Sequence, residues 1–450
     1  MASIQFKNGH PYVVYYFTDT NNRRRQKWLL CKTEDEALKQ KKKIEYEQEN
    51  DIFIPPTDQT VSQFMKEFVE LYGSKNWSAS TYSSKISLIK NYIDPYIGKK
   101  KLQDLKAFDI EKYYNELQSD SVLTKSKSHT FSKKITNSMI CEIHKLLKTA
   151  FNTAVTWDLI PVNPFKKVKP PRHYPEKREI WSIEQIQFAL QKCDDPILSL
   201  SIQLAFACSL RLGEILGLTW DNVHVSDDDI ASNNAYIYID RQLSEIQKDC
   251  ITQIERDSII KQFETEPENK TLLVLKKPKT RTSIRKIWLP KTLAILLKDW
   301  KCKQNEYRNY LGPDYYENNL VICFEDGRPC HENVIRRRFN TLIKYTGLPT
   351  VVFHSLRHSS TTYKLKLNNG DIKATQGDTG HAQADMVTDV YGHILDEDRR
   401  ANAQKFDVCF YGADTDNKQS NKIDIDKLVN SLKEDPELLQ KIANILNNAD

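Results

Sequence analysis

At 450 residues the chain is too long for one compact core, so two to four domains are expected. Its 39% hydrophobic and 28% charged residues suit a soluble globular protein, and no apolar run reaches the roughly 18 residues of a membrane span. Nine cysteines from Cys31 to Cys409 include no Cys-x-x-Cys pair, which argues against a disulfide framework and a structural zinc site.

The start, Met1-Ala2-Ser3-Ile4-Gln5, lacks a secretory pattern, so a reducing, cytoplasmic setting is expected. A net charge of +6 does not by itself indicate nucleic acid. Its distribution says more. Basic clusters recur at Arg23-Arg24-Arg25, Lys41–Lys43, Lys99–Lys101, Lys166-Lys167 with Lys169, Lys276-Lys277 with Lys279 and Arg281, and Arg336–Arg338. One such cluster is an ordinary solvated face; several, spread along the chain, suit a polyanion gripped along its length.

Residues 1–50 predict a small sheet and a helix. Tyr12 to Phe17 is β-branched and aromatic, 19–22 is turn chemistry, and Gln26 to Cys31 makes a second main strand. Thr33 with Glu36 reads as a capping box opening a charged helix to about Glu47. A three-stranded ribbon with Arg23, Arg24 and Arg25 near its turn fits a DNA groove or an ordinary dimerisation sheet equally well.

From Val61 the apolar spacing turns helical, with Phe64, Met65, Phe68 and Tyr72 at threes and fours. Further helices are expected from Ser78 or Ser80 to Tyr92, from Asp109 to Gln118 and from Thr136 to Trp157. The Ser/Lys-rich stretch 119–132 reads as a loop. The proline-rich, basic run from Asn163 to Arg178 reads as a tether, either inert or held near phosphates.

Ser182 and Gln185 form a second capping box, and Ile197 to Leu210 reads as a buried helix ending directly at Arg211. Ala235–Ile239 alternates as a strand. Leu272–Leu275 and Ile284–Leu289 predict a hairpin with Lys279 at its tip, and the charged stretch 242–269 before it reads as helix or loop. Helices follow at Lys291–Leu311 and His331–Tyr345, and two helical patches with apolar stripes at 425–432 and 436–446.

Chemistry concentrates between His354 and Tyr391. In His354-Ser355-Leu356-Arg357-His358 the first histidine and Arg357 are three apart, which stacks them on one helical face. Such a pair makes a poor core but a good anion cradle, since the guanidinium fork fits a phosphate. His381 and Tyr391 follow, offering a second imidazole and a nucleophile. Other readings stand beside this: His354 and His358 have metal-pair spacing, and Arg211 with Glu214 fits a structural ion pair.

Arg211, Lys279, His354, Arg357, His381 and Tyr391, in that order, resemble the signature of the tyrosine recombinases. The likeness is to the integrases of conjugative transposons and related phages. It is carried by Leu210–Glu214, Pro278-Lys279-Thr280, His354–His358, Thr379-Gly380-His381 and Tyr391-Gly392-His393. Thr379 stands where that family commonly has Leu.

The resemblance implies a multidomain chain, mainly α with small β-sheets. An arm-binding sheet domain would occupy residues 1–52, a helical core-binding domain 58–165, a mixed α/β catalytic domain 178–410, and a helical tail 411–450. It implies that Arg211 and Arg357 grip the scissile phosphate, with Glu214 supporting Arg211. Tyr391 would be the nucleophile, His354 the base and Lys279 the acid.

It further implies double-stranded DNA with core and arm sites as partner, a homotetramer, accessory excision or bending proteins, and a bacterial, nucleoid-associated setting. No cofactor and no metal are expected. A supercoil-relaxing enzyme of similar chemistry and a DNA-binding factor that does not cut remain as alternatives. A metal-dependent nuclease is disfavoured, because no carboxylate cluster accompanies the histidines.

Overall fold

The computed structural model describes residues 2–18, 23–119, 121–125, 130–173, 179–251, 253–264, 268–368 and 371–379. His381, Tyr391 and the expected C-terminal helices lie outside the described residues. None of the described helices is long and apolar enough to cross a membrane.

The N-terminal sheet forms as its alternation predicts. Strands β1 (Ser3–Lys7), β2 (His10–Thr18) and β3 (Arg24–Leu30) pair antiparallel in that order, and helix α1 (Glu34–Glu49) covers one face. Val13 and Tyr15 point inward against Ala37 and Ile44 of α1, whereas Tyr16 faces out with the Arg24 guanidinium 4.7 Å from its ring. Thr33 caps α1 by accepting the Glu36 amide. The return arm of the predicted box lands one residue early, on the Lys32 amide at 2.8 Å.

The second unit is helical: α2 (Val61–Phe68), the short α3 (Ser74–Asn76), α4 (Ala79–Leu88), α5 (Ala107–Ser119) and α6 (Asn137–Thr156). Thr60 and Gln63 cap α2 reciprocally. The apolar stripes meet in one core of Phe64, Phe68, Ile110, Leu117, Leu147 and Phe151, closed by Phe165 and Val168 from the connecting segment. Lys166, Lys167 and Lys169 ride exposed on that segment, so the expected tether begins as part of this unit. The predicted loop at 119–132 is instead a hairpin, β4 (Ser121–Lys125) with β5 (Thr130–Lys134). Its Ser, Thr and Lys residues carry no apolar alternation, so only backbone pairing reveals it.

The third unit begins with α7 (Ile183–Gln191), capped reciprocally by Ser182 and Gln185. Then come α8 (Pro196–Ala207), α9 (Leu212–Leu216), β6 (Val223–His224), α10 (Asp227–Ala231), β7 (Tyr236–Ile239) and β8 (Gln242–Gln247). After these follow α11 (Gln253–Ser258), β9 (Ile259–Gln262), β10 (Thr271–Lys276), β11 (Arg285–Trp288), α12 (Lys291–Leu311), α13 (Glu332–Thr346), α14 (Ser355–Leu367) and α15 (Ile372–Thr379).

Here the predicted hairpin is corrected. β10 lies between β8 and β9 in one antiparallel sheet, while β11 pairs with β7 in another, in the order β11-β7-β6. The 242–269 stretch supplies both partners of β10, so the strand next in sequence is not needed for its edge. Lys279 consequently sits on a crossover between two sheets. Ala79 of α4 packs against Ile246 of β8 and Val274 of β10, joining the helical unit to this sheet.

Candidate active site

Helix α8 ends at Ala207, and the chain turns through Ser209, whose φ of +52° is left-handed. That turn delivers Arg211 to the N-terminus of α9, where its extended backbone makes it the cap residue. Glu214, one turn on, accepts both the Arg211 amide at 3.0 Å and its guanidinium at 2.7 Å. The end of α9 is fixed by a close approach. A Cβ on Gly217 would lie 2.5 Å from the Leu243 nitrogen of β8, so only glycine lets that strand pass.

The Glu214 carboxylate is 2% exposed and holds more than Arg211. Arg285, from β11, donates to both of its oxygens at 3.1 and 3.4 Å, and to the Ser283 carbonyl at 3.0 Å. Arg357, in the first turn of α14, has a terminal nitrogen 4.0 Å from the same carboxylate. Three guanidinium groups thus surround one carboxylate, giving a local excess of positive charge inside the fold. Burial pushes the Glu214 pKa up, but the charges of Arg285 and then Arg211 outweigh it and hold the carboxyl below its usual range.

Arg357 is 1% exposed, and its terminal nitrogens donate to the Ser209 carbonyl and, at 2.6 Å, to the Thr379 carbonyl. Its Nε has no hydrogen-bond partner among the described residues. Burial, then the charge of Arg211, bring its pKa down to about 9, with Glu214 opposing. The hydroxyls of Ser209 and Ser360 lie 2.5 Å apart and tie the same turn to α14. This arrangement corrects the single stacked face expected for His354 and Arg357: His354 caps α14 and is exposed, whereas Arg357 points into the core.

Arg211 and His354 line one cleft of about 860 Å³, together with Gln242, Glu332 and Arg336. Lys279 is exposed and lines an adjoining cleft of about 380 Å³ with Lys276, His331 and Ser80 of the helical unit. The two clefts share Gln242, Leu243, Ser244 and Glu332 as walls. Arg211, Glu214 and Arg357 are therefore in contact range, His354 faces the same space, and Lys279 stands across β8. Arg281 opens a short helical turn just beyond Lys279.

Arg285 was not among the residues singled out from sequence. Its signal was strand phase. Arg285, Ile287 and Leu289 occupy alternate positions, so an arginine falls on the buried side of β11, where it requires a partner.

Residues 60–118 match the family model "Phage integrase, N-terminal SAM-like domain", and residues 260–398 match "Phage integrase family". The chain is 24% identical over 402 residues to a "Tyrosine recombinase XerC-like" protein of Caldanaerobacter subterraneus, covering 86% of this chain and 94% of that one. It is 23% identical to the ICEBs1 integrase of Bacillus subtilis, covering 72% and 77% of the two chains. The fold is shared with the Tn1549 transposon integrase in its complex with circular intermediate DNA. That likeness has a TM-score of 0.57 and 18% identity, and spans 77% of this chain and 99% of that one.

A buried arginine–glutamate cluster, a mixed helical and small-sheet unit behind a helical one, and these matches define a site-specific recombinase of the tyrosine type. The chain carries two stretches that match phage integrase models and resembles the integrases of conjugative transposons.

Proposed function

We propose that Arg211, Lys279, His354, Arg357, His381 and Tyr391 act on a single phosphodiester of double-stranded DNA. The phenol oxygen of Tyr391 bonds to phosphorus as the bond to the 5′ oxygen breaks, leaving a 3′-phosphotyrosyl link. A phenol with a pKa near ~10 is a weak nucleophile, so its proton passes to His354 during attack. Lys279 returns a proton to the departing 5′ oxygen. Arg211, held by Glu214, stabilises the charge gathering on the non-bridging oxygens. Arg357 joins it when the phosphate displaces a carbonyl from its fork. His381 donates to the same oxygens.

The new link keeps the phosphodiester energy, so a 5′ hydroxyl from a second duplex reverses the step and exchanges strands through a Holliday junction. Guanidinium and imidazole groups supply the charge, and no step runs through a metal or nucleotide. The observation that carries this reading is the gathering of Arg211 and Arg357 around Glu214 beside the cleft that His354 lines.

In the same reading residues 1–52 bind distal arm sites, with Arg23, Arg24 and Arg25 at the sheet's turn. Residues 58–165 form the core-binding unit, 178–410 the catalytic unit, and the tail 411–450 joins protomers. Lys166, Lys167, Lys169 and Arg281 contact the backbone of the core site. Four protomers act together to integrate or excise a mobile element, with accessory proteins bending the DNA.

The test is incubation with a nicked duplex that traps the intermediate, followed by mass spectrometry of the linked peptide. The adduct is expected on Tyr391 and absent from Tyr391→Phe, while Tyr363→Phe, whose ring stacks on Phe206, retains it. An adduct persisting in Tyr391→Phe would mean a different nucleophile. Strict dependence of cleavage on a divalent ion would overturn the charge assignment.

A further inference from the structure

Resting on the roles just assigned to Lys279 and Arg211, we propose that Arg285 is a positioning residue. It sets the Lys279 crossover in register with the carboxylate that orients Arg211.

The connection can be followed atom by atom. At one end of the crossover the Lys277 amide donates to the Ser258 carbonyl at 2.9 Å. At the other end the Ser283 amide donates to the Thr280 carbonyl at 3.1 Å, and the two hydroxyls lie 3.0 Å apart. Lys279 is thus held between two anchored residues. Ser283 is itself buried, and its carbonyl accepts from Arg285. The two terminal nitrogens of Arg285 also donate to the two oxygens of Glu214, which Arg211 shares, while its Nε has no hydrogen-bond partner among the described residues.

One planar fork therefore links the end of the crossover to α9. On one side it fixes the loop bearing the candidate acid, and on the other the carboxylate bearing the candidate phosphate ligand. β10 and β11 share no ladder, so strand pairing does not set this distance. The Arg285 bonds provide a direct link. Lysine at this position would keep the charge and lose the fork, because a single ammonium cannot reproduce this planar pattern of acceptors.

The role predicts a particular dependence on the leaving group. A thiol, with a pKa near ~8.5, departs as thiolate without being protonated. A substrate with sulfur in place of the bridging 5′ oxygen therefore does not need Lys279. The experiment uses the full chain and a short nicked duplex selected from a randomised pool by binding to the wild-type protein, made in oxygen and sulfur forms. Adduct formation is timed for wild type, Lys279→Ala, Arg285→Met and Arg285→Lys.

On the oxygen substrate Arg285→Met is expected to slow adduct formation about 100-fold, the low end of what a general acid contributes. DNA affinity should stay within about threefold, because the loss falls on the transition state and not on binding. On the sulfur substrate most of the loss should disappear, as it should for Lys279→Ala.

Should Arg285→Met fail to fold, Arg285→Lys carries the test with a smaller loss and the same recovery. An Arg285 defect equal on both substrates, or no defect, overturns the positioning of Lys279. If Lys279→Ala itself shows no recovery, the acid assignment beneath it fails instead.

Discussion

The helical unit and the third unit are both closely packed, yet their interiors hold different chemistry. The first is filled by aromatic and aliphatic side chains, with ring contacts running from Phe68 to Phe64, Phe151 and Phe165 in turn. Its buried polar pair is neutral: the Tyr114 hydroxyl and His144 Nδ1 lie 2.7 Å apart. The second encloses the charged groups of Glu214, Arg285 and Arg357 beside a large apolar core. Apolar packing tolerates modest changes of shape, whereas a buried charge depends on its partner. The helical unit is thus held by volume, and the third unit also by matched charged groups.

Removing the shared carboxylate should break that contrast most severely. Glu214→Ala leaves guanidinium groups facing each other in the interior, and a loss of about 3–5 kcal/mol is expected. It should appear in chemical denaturation, with adduct formation lost even where the variant is kept folded. Phe151→Ala in the helical unit should cost a similar ~3–5 kcal/mol through the cavity it leaves. The difference is that adduct formation by the remaining folded molecules should persist. If both variants lose stability and chemistry in parallel, the two interiors do not divide their work in this way.

Tyr114→Phe sharpens the comparison on the neutral side. It removes one partner of a buried hydrogen bond and should cost about 1–3 kcal/mol, measured by the denaturant midpoint. Acid should separate the two units by pH. Burial, then Lys148, lower the His144 pKa from 6.5, so the folded state prefers the neutral ring. Stability is then lost as pH falls below 6.5 towards the folded value.

Glu214 is lowered from 4.5, so its contribution is present above that value and lost as pH falls through the folded pKa. A thermal-shift series should show the helical unit weakening first. His144→Gln should flatten only the first step, and a single step unaffected by it would remove this distinction.

The parts legible in the sequence are those governed by neighbours in the chain. Capping at Ser182, the span Lys291–Leu311 and the apolar stripe of Asn137–Thr156 all depend on residues within a turn or two. The same holds for Arg211 with Glu214. Strand partnership is different. Leu272–Leu275 and Arg285–Trp288 look like a hairpin because they are close in sequence, but each finds its partner elsewhere.

The helical spacing of His354 and Arg357 was correct in kind, since both belong to α14 or its cap. It missed that the helix turns one outward and the other into the core. The direction of a helix face is a tertiary property. Arg285 lay in plain view as a charge on an apolar phase, and only the folded chain shows which carboxylate it meets.

The carbonyl of Ser209 is separated by 148 residues from the guanidinium it receives, and Glu214 by 71 from Arg285. At ~5–20 residues per second of synthesis, the first of these delays is on the order of ten seconds. Throughout that interval Arg211 has been made while Arg357, which completes its surroundings, has not. The buried cluster around Glu214 therefore closes only after translation has passed α14.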